Sequence, residues 1–311
     1  MKSMSTHQRL LIFLLFVLAL TSILSPWFAL GVGWFVDHLP GLEHYPFSRI
    51  FNRTFMISSM VVFFICRRLL KIGKLSELGF VTLGQGGIDL LRGWTLAVAS
   101  MAALLLAMSA GQVFEPAFRF SFWRSLSRCF SAIVSGIITG SLEEIFFRGI
   151  LLKGLLQDGR LFRALVLSSL FYSALHFVKP GEAYFVGGLD PLAGFRHLFY
   201  TFTPFLEPLN LLPGMFGLFL LGIVLSYAFL RTGNLYLAIG LHAGWIFSLK
   251  SVRVFGDYTR DDLGWLFGST DPKIVSGVAS WIGIIGVLLV VHWWTRNRCG
   301  IAVGRTSPQD I

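Results

Sequence analysis

The sequence predicts an all-α polytopic membrane protein, a bundle of about eight transmembrane helices, and three observations carry that expectation. Of 311 residues, 55% are hydrophobic and 14% charged, against about 25% charged in a soluble globular domain. Phe alone numbers 31, against 16 Asp plus Glu, more apolar surface than a soluble core of this length encloses. The apolar residues also gather in runs of about 20, the length that crosses a bilayer as a helix.

Eight runs follow one another, at roughly 10–35, 54–70, 88–110, 130–153, 161–178, 208–230, 233–250 and 274–295. The first opens like a signal peptide, MKSMSTHQRLLIFLLFVLAL, but its hydrophobicity continues through TSILSPWFALGVGWFV with no small-x-small site to close it. It reads as the first span, kinked near Ser25-Pro26. The fifth and seventh runs are short and need a thin local bilayer or the company of neighbouring helices.

The connections set the orientation. RRLLKIGK, residues 67–74, is strongly basic and faces the cytoplasm by the positive-inside rule. That places the N-terminus inside the cell membrane, and eight spans return the C-terminus, with Arg296, Arg298 and Arg305, to the same side. Residues 153–163, with Lys153, Arg160 and Arg163, agree. Residues 111–129 fall outside, although they carry Arg119, Arg124 and Arg128. Their interleaving with Phe118, Phe120, Phe122 and Trp123 predicts an amphipathic helix lying on the membrane surface. Residues 179–207, rich in Gly, Pro and aromatics, suit a re-entrant or membrane-hugging loop with His197 at the interface. Residues 250–273 are of mixed charge and read as a solvated loop. With no internal repeat, residues 1–311 read as a single integral membrane domain.

The net charge of +10 arises from Lys and Arg that flank apolar runs. No basic tail is formed, so the charge points to lipid headgroups and away from nucleic acid. Cys66, Cys129 and Cys299 stand far apart without CxxC spacing and suggest neither a zinc knuckle nor a disulfide framework.

Against this background GSLEEIFFRG, residues 140–149, stands out, because it sets Glu143, Glu144 and Arg148 in a hydrocarbon-like run. Glu144 and Arg148 are at i and i+4, on one helix face, so they pair and lower the cost of burying both. Glu143 lies about 100° around the helix, and its i+4 and i−4 neighbours are Phe147 and Thr139. Its partner must come from another helix. His176, ending LFRALVLSSLFYSALHF, and His242, in GNLYLAIGLHAGWIF, are the candidates. Ionisable groups at membrane depth are by default functional and face a cavity. A carboxylate with one or two imidazoles supports general acid–base chemistry, the Glu taking a proton from water and a His or other donor stabilising an oxyanion. No GxSxG elbow, GxGD-like Asp pair or HExxH motif competes. Three other readings use the same residues: a zinc site with Glu143, His176 and His242 as ligands, a proton relay in a proton-coupled transporter, and a non-catalytic immunity or binding protein.

At these residues the chain resembles the CAAX-protease and bacteriocin-processing (CPBP, or Abi) family of intramembrane glutamic endopeptidases. The resemblance rests on Glu143-Glu144-Ile-Phe-Phe-Arg148, on Tyr172-Ser-Ala-Leu-His176 in the place of an FxxxH motif, and on His242-Ala-Gly-Trp-Ile246 after RTGNLYLAIGL. It covers about residues 75–250. It implies an eight-helix protease with the active site inside the bundle and no metal or other cofactor. Carried over, Glu143 and His176 activate water, His242 helps form the oxyanion site, and Glu144 and Arg148 support them structurally. The implied partners are membrane lipids and a peptide or protein substrate with a hydrophobic or lipidated segment. Two positions depart from the pattern. Ile246 stands where the family often has Asn, and Tyr172 replaces Phe.

Overall fold

The computed structural model describes residues 6–38, 45–66, 75–157, 160–177, 185–186, 188–206, 208–268 and 274–298. The basic stretch 67–74, on which the predicted orientation turned, lies outside the described residues, as does Cys299. The chain divides into two compact units, Met1–Gly73 with Ala174–Leu211, and Lys74–Ser173 with Leu212–Ile311.

In the first unit α1 (Thr6–His38) is a single helix with Pro26 inside it. α2 (Phe47–Cys66) packs along it. Thr21, Ser22 and Ser25 of α1 and Thr54 and Ser58 of α2 are buried. Thr21 returns its hydroxyl to the Val17 carbonyl at 2.7 Å, satisfying itself within the helix. The segment expected to be an interfacial loop instead contains a later helix, Ala193–Tyr200, which rests on α1 where Gly194 meets the Ser22 carbonyl so closely that no Cβ fits. His197, expected at the interface, is buried there at 1% exposure. Its ring lies 5.4 Å from Phe47 and 4.4 Å from Phe51. Composition alone marked these residues as loop, but the apolar face of Ala193, His197 and Leu198 needs only α1 and α2 to fold against.

The second unit is built on α3 (Leu83–Ala110), α4 (Phe122–Glu144), α5 (Lys153–Leu156), α6 (Leu161–Leu175), α8 (Pro208–Thr232), α9 (Tyr236–Phe255) and α11 (Val278–Thr295), where α7 denotes Ala193–Tyr200 and α10 Gly264–Phe267. α9 packs against both α3 and α4, and small residues let the backbones touch. A Cβ on Gly93 would stand 2.5 Å from the Leu237 carbonyl oxygen, and one on Gly136 2.6 Å from that of Ala243. Gly240 faces the Leu90 carbonyl still more tightly. Close approach through small residues is how helices associate where lipid offers no hydrophobic drive. It buries an unbroken run of α9 from Leu237 to Trp245, His242 included.

Among the described residues six helices are long and apolar enough to cross a membrane: Leu11–His38, Phe47–Cys66, Leu83–Ala110, Phe122–Leu156, Leu211–Thr232 and Val278–Thr295. Many of their large apolar side chains, Leu15, Phe64, Leu106 and Leu289 among them, point outward, as lipid-facing residues do. The chain is a multi-pass membrane protein. Of the remaining predicted spans, α6 is a shorter apolar helix of 15 residues. In α9 the apolar run is interrupted by His242 and ended by Lys250 and Arg253.

The predicted surface helix over 111–129 does not form as one element. Phe114–Pro116 (β1) pairs antiparallel with Gly256–Tyr258 (β2), Phe114 opposite Tyr258. The exposed Phe122 and Trp123 belong to the first turn of α4 itself. Residues 250–268 are likewise structured, and Val252 and Phe267 close a small core with Met108, Val113 and Phe114. Alternation over three residues is too short to mark a strand in sequence, and here each strand depends on the other.

Candidate active site

α4 brings the Glu pair to its C-terminal end. At Glu144 the helix changes pitch, and Ile145–Leu152 is a stretch of π-helix that joins α4 to α5. Such turns are costly and occur often at functional sites. The wider turn leaves the Phe147 carbonyl to the Ser168 hydroxyl of α6 at 3.4 Å. α6 is itself fixed to α8, Ser173 donating to the Met215 carbonyl at 2.6 Å.

The expected i,i+4 pair is present. Arg148 donates through Nη1 to Glu144 Oε1 at 2.8 Å and through Nη2 to the Gly222 carbonyl of α8 at 3.2 Å. Both side chains are fully buried, at 0% exposure. A buried charge is tolerable only when paired and hydrogen-bonded; this pair is joined directly, with Glu144 Oε2 and Arg148 Nε left without a hydrogen bond. The partner that Glu143 required from another helix is also present. His242 Nε2, on α9, stands 3.6 Å from Glu143 Oε2.

His242 is held from two sides. Its Nδ1–H donates to Glu144 Oε1 at 2.7 Å, and its Nε2 meets both Glu143 and, at 3.5 Å, the hydroxyl of Tyr172 on α6. The Glu144 bond fixes the ring as carboxylates fix histidines in metal sites and triads. Nε2 then either accepts, in the neutral ring, or donates, in the imidazolium. The glutamates differ in access. The Glu143 side chain is 24% exposed, with its Oε2 buried against His242, and that of Glu144 is 0% exposed, so the first is the more accessible of the two.

The structure thus gathers Glu143, Glu144, Arg148 and His242 from α4, its π-helical continuation and α9. His176 stands one residue past the end of α6, half-buried, and is counted with the first unit. Ile246, one turn beyond His242 on α9, is half-buried and brings no polar atom. Among the described residues no group of three His, Cys, Asp or Glu side chains is arranged so that it could hold a metal ion.

Two participants were not picked out from the sequence: the Gly222 carbonyl, which is a backbone group and leaves no trace in residue type, and the Tyr172 hydroxyl. The second had a signal. A phenol standing four residues before His176, where the motif has Phe, adds a polar atom to the one face of α6 already marked as functional.

Residues 124–248 match the family model described as type II CAAX prenyl endopeptidase Rce1-like. The resemblance read from the motifs is borne out, over a narrower range than 75–250. The matched segment runs from the first turns of α4 into α9 and contains Glu143, Glu144, Arg148, Tyr172, His176 and His242. No curated protein and no solved structure matches the chain.

Proposed function

We propose that this chain is an intramembrane endopeptidase of the Rce1-like type that hydrolyses peptide bonds by glutamate-activated water. The observation that carries the reading is the arrangement of one partly exposed carboxylate, Glu143, beside an imidazole whose other nitrogen is pinned by a buried Glu144–Arg148 pair.

Glu143, with His176 working beside it, takes a proton from water as the hydroxide oxygen bonds to the scissile carbonyl carbon. His176 enters through its place at the second motif of the matched segment. The proton passes from the Glu143 carboxyl to His242 Nε2. The resulting Nε2–H then donates to the oxyanion, in the sense of preorganised charge stabilisation. Collapse of the tetrahedral species breaks the C–N bond, and the leaving amine takes the proton from Nε2. This chemistry uses no metal ion, and Glu144 and Arg148 serve as support.

α6 and α9 complete a bundle of about eight membrane-crossing helices around these residues, with both termini on the cytoplasmic side of the cell membrane. The substrate class that fits a site in such a bundle is a peptide or protein with a hydrophobic or lipidated segment that approaches through lipid. The test compares peptide termini in host membranes and medium between wild type and Glu143→Gln, which keeps the shape and removes the base. Precursors that persist uncleaved in the variant support proteolysis and identify the substrate. Identical termini, with the phenotype of deletion corrected only by wild type, give Glu143 a different task, such as a proton relay.

A further inference from the structure

The steps above leave the Tyr172 phenol unused, although it is buried at 2% exposure with its hydroxyl 3.5 Å from His242 Nε2. Its ring is clamped on several sides. The Arg148 guanidinium lies over its face, 4.8 Å from the centroid, Phe147 packs edge-on at 4.9 Å, and the His242 ring meets it edge-on at 5.9 Å. Such a ring cannot swing, so the position of the hydroxyl is set.

His242 Nδ1 is committed to Glu144. Nε2 is therefore the nitrogen that gains and loses a proton, and a buried polar atom needs a partner in each state. A phenol serves both. Its O–H donates to Nε2 of the neutral ring, and once Nε2 is protonated its oxygen shares that Nε2–H with the oxyanion in a three-centre bond. A phenyl ring serves neither, and Ile246 on α9 supplies no substitute.

We propose that Tyr172 is a positioning residue for the proteolysis read above, its hydroxyl holding His242 Nε2 through both protonation states so that the imidazole passes from acceptor to oxyanion donor without turning. The inference rests on the endopeptidase reading, and its test separates the two.

The probe is a quenched-fluorophore peptide carrying a prenylated cysteine near its C-terminus, with the enzyme purified in detergent. Tyr172→Phe is expected to lower kcat about tenfold, the scale of one hydrogen bond made at the transition state, with KM within about twofold. Adding Ile246→Asn, which puts a donor one turn from His242, is expected to recover most of the lost kcat. Unchanged kcat in Tyr172→Phe overturns the proposal. So does a loss that tracks a fall in melting temperature and is not recovered by Ile246→Asn, because that is packing alone. The second arm needs no substrate: in protein labelled with 15N-histidine, Tyr172→Phe is expected to shift the Nε2 resonance of His242. An unchanged spectrum overturns the proposal even if the enzyme is active. A shifted spectrum with no cleavage by wild type keeps the hydrogen bond and removes the endopeptidase reading for this substrate.

Discussion

Replacing Arg148 by Met removes the guanidinium and keeps most of the side-chain volume, which isolates the charge. The structure fixes what is then lost. Glu144, at 0% exposure, loses the bond at 2.8 Å, and the Gly222 carbonyl loses the one at 3.2 Å. Glu144 keeps only the neutral-capable donor His242 Nδ1 among its described contacts. Breaking a buried pair from one side costs about 3–5 kcal/mol, because the remaining charge stays desolvated. By the usual conversion for a chain of this size, that is a melting temperature lower by about 5–8 °C. The double variant Glu144→Gln/Arg148→Met removes both charges and leaves His242 an amide oxygen to donate to. It is expected to regain more than half of the loss, giving a coupling energy of at least ~2 kcal/mol in the double-mutant cycle. Tryptophan-fluorescence melts in one detergent supply all four corners. A single variant that loses less than ~1 kcal/mol, or a double as unstable as the two singles summed, refutes the assignment of this pair as a mutually dependent buried support.

Glu143→Gln is expected to melt within about 2 °C of wild type while losing cleavage, since the Glu143 side chain is already a quarter exposed and its replacement strands no charge. Thermal melts beside the terminal-peptide comparison check both halves. His197 gives a pH prediction, because burial between Phe47 and Phe51 lowers its pKa to about 4 from the usual 6.5. Between those values the unfolded chain binds the extra proton. The contribution to stability is therefore complete above about pH 6.5 and is lost as pH falls toward 4, by at most ~3 kcal/mol. His197→Phe should flatten that part of the stability–pH curve relative to wild type, and parallel curves would count against it. On α3, Gly93→Ala should destabilise by about 1–3 kcal/mol, because its Cβ meets the Leu237 carbonyl at 2.5 Å and α9 must move away. Gly87→Ala on the same helix has nothing within 4 Å and should be neutral or slightly stabilising, so equal melts for the two would contradict the close packing of α3 on α9.

What was legible in the sequence depended on whether one helix carried the information. The Glu144–Arg148 pair needs only i,i+4 spacing, and it is present even though the turn that holds it is π-helical. No residue type codes for a π-turn, so that feature was invisible in IFFRGILL. The absence of a local cation for Glu143 correctly demanded a partner from another helix, but spacing cannot say which. The structure sets His242 against both glutamates, where the resemblance had reserved it for the oxyanion. The two roles are compatible for a physical reason. A ring pinned at Nδ1 by Glu144 presents one nitrogen to the reaction, and that nitrogen can donate to an oxyanion only after it has received a proton. In the proposed reaction the neighbour that supplies one is Glu143, the more exposed carboxylate. On that reading, orientation by the buried glutamate and protonation by the more exposed one are successive requirements of a single imidazole, and the adjacent pair in GSLEEIFFRG has two different tasks.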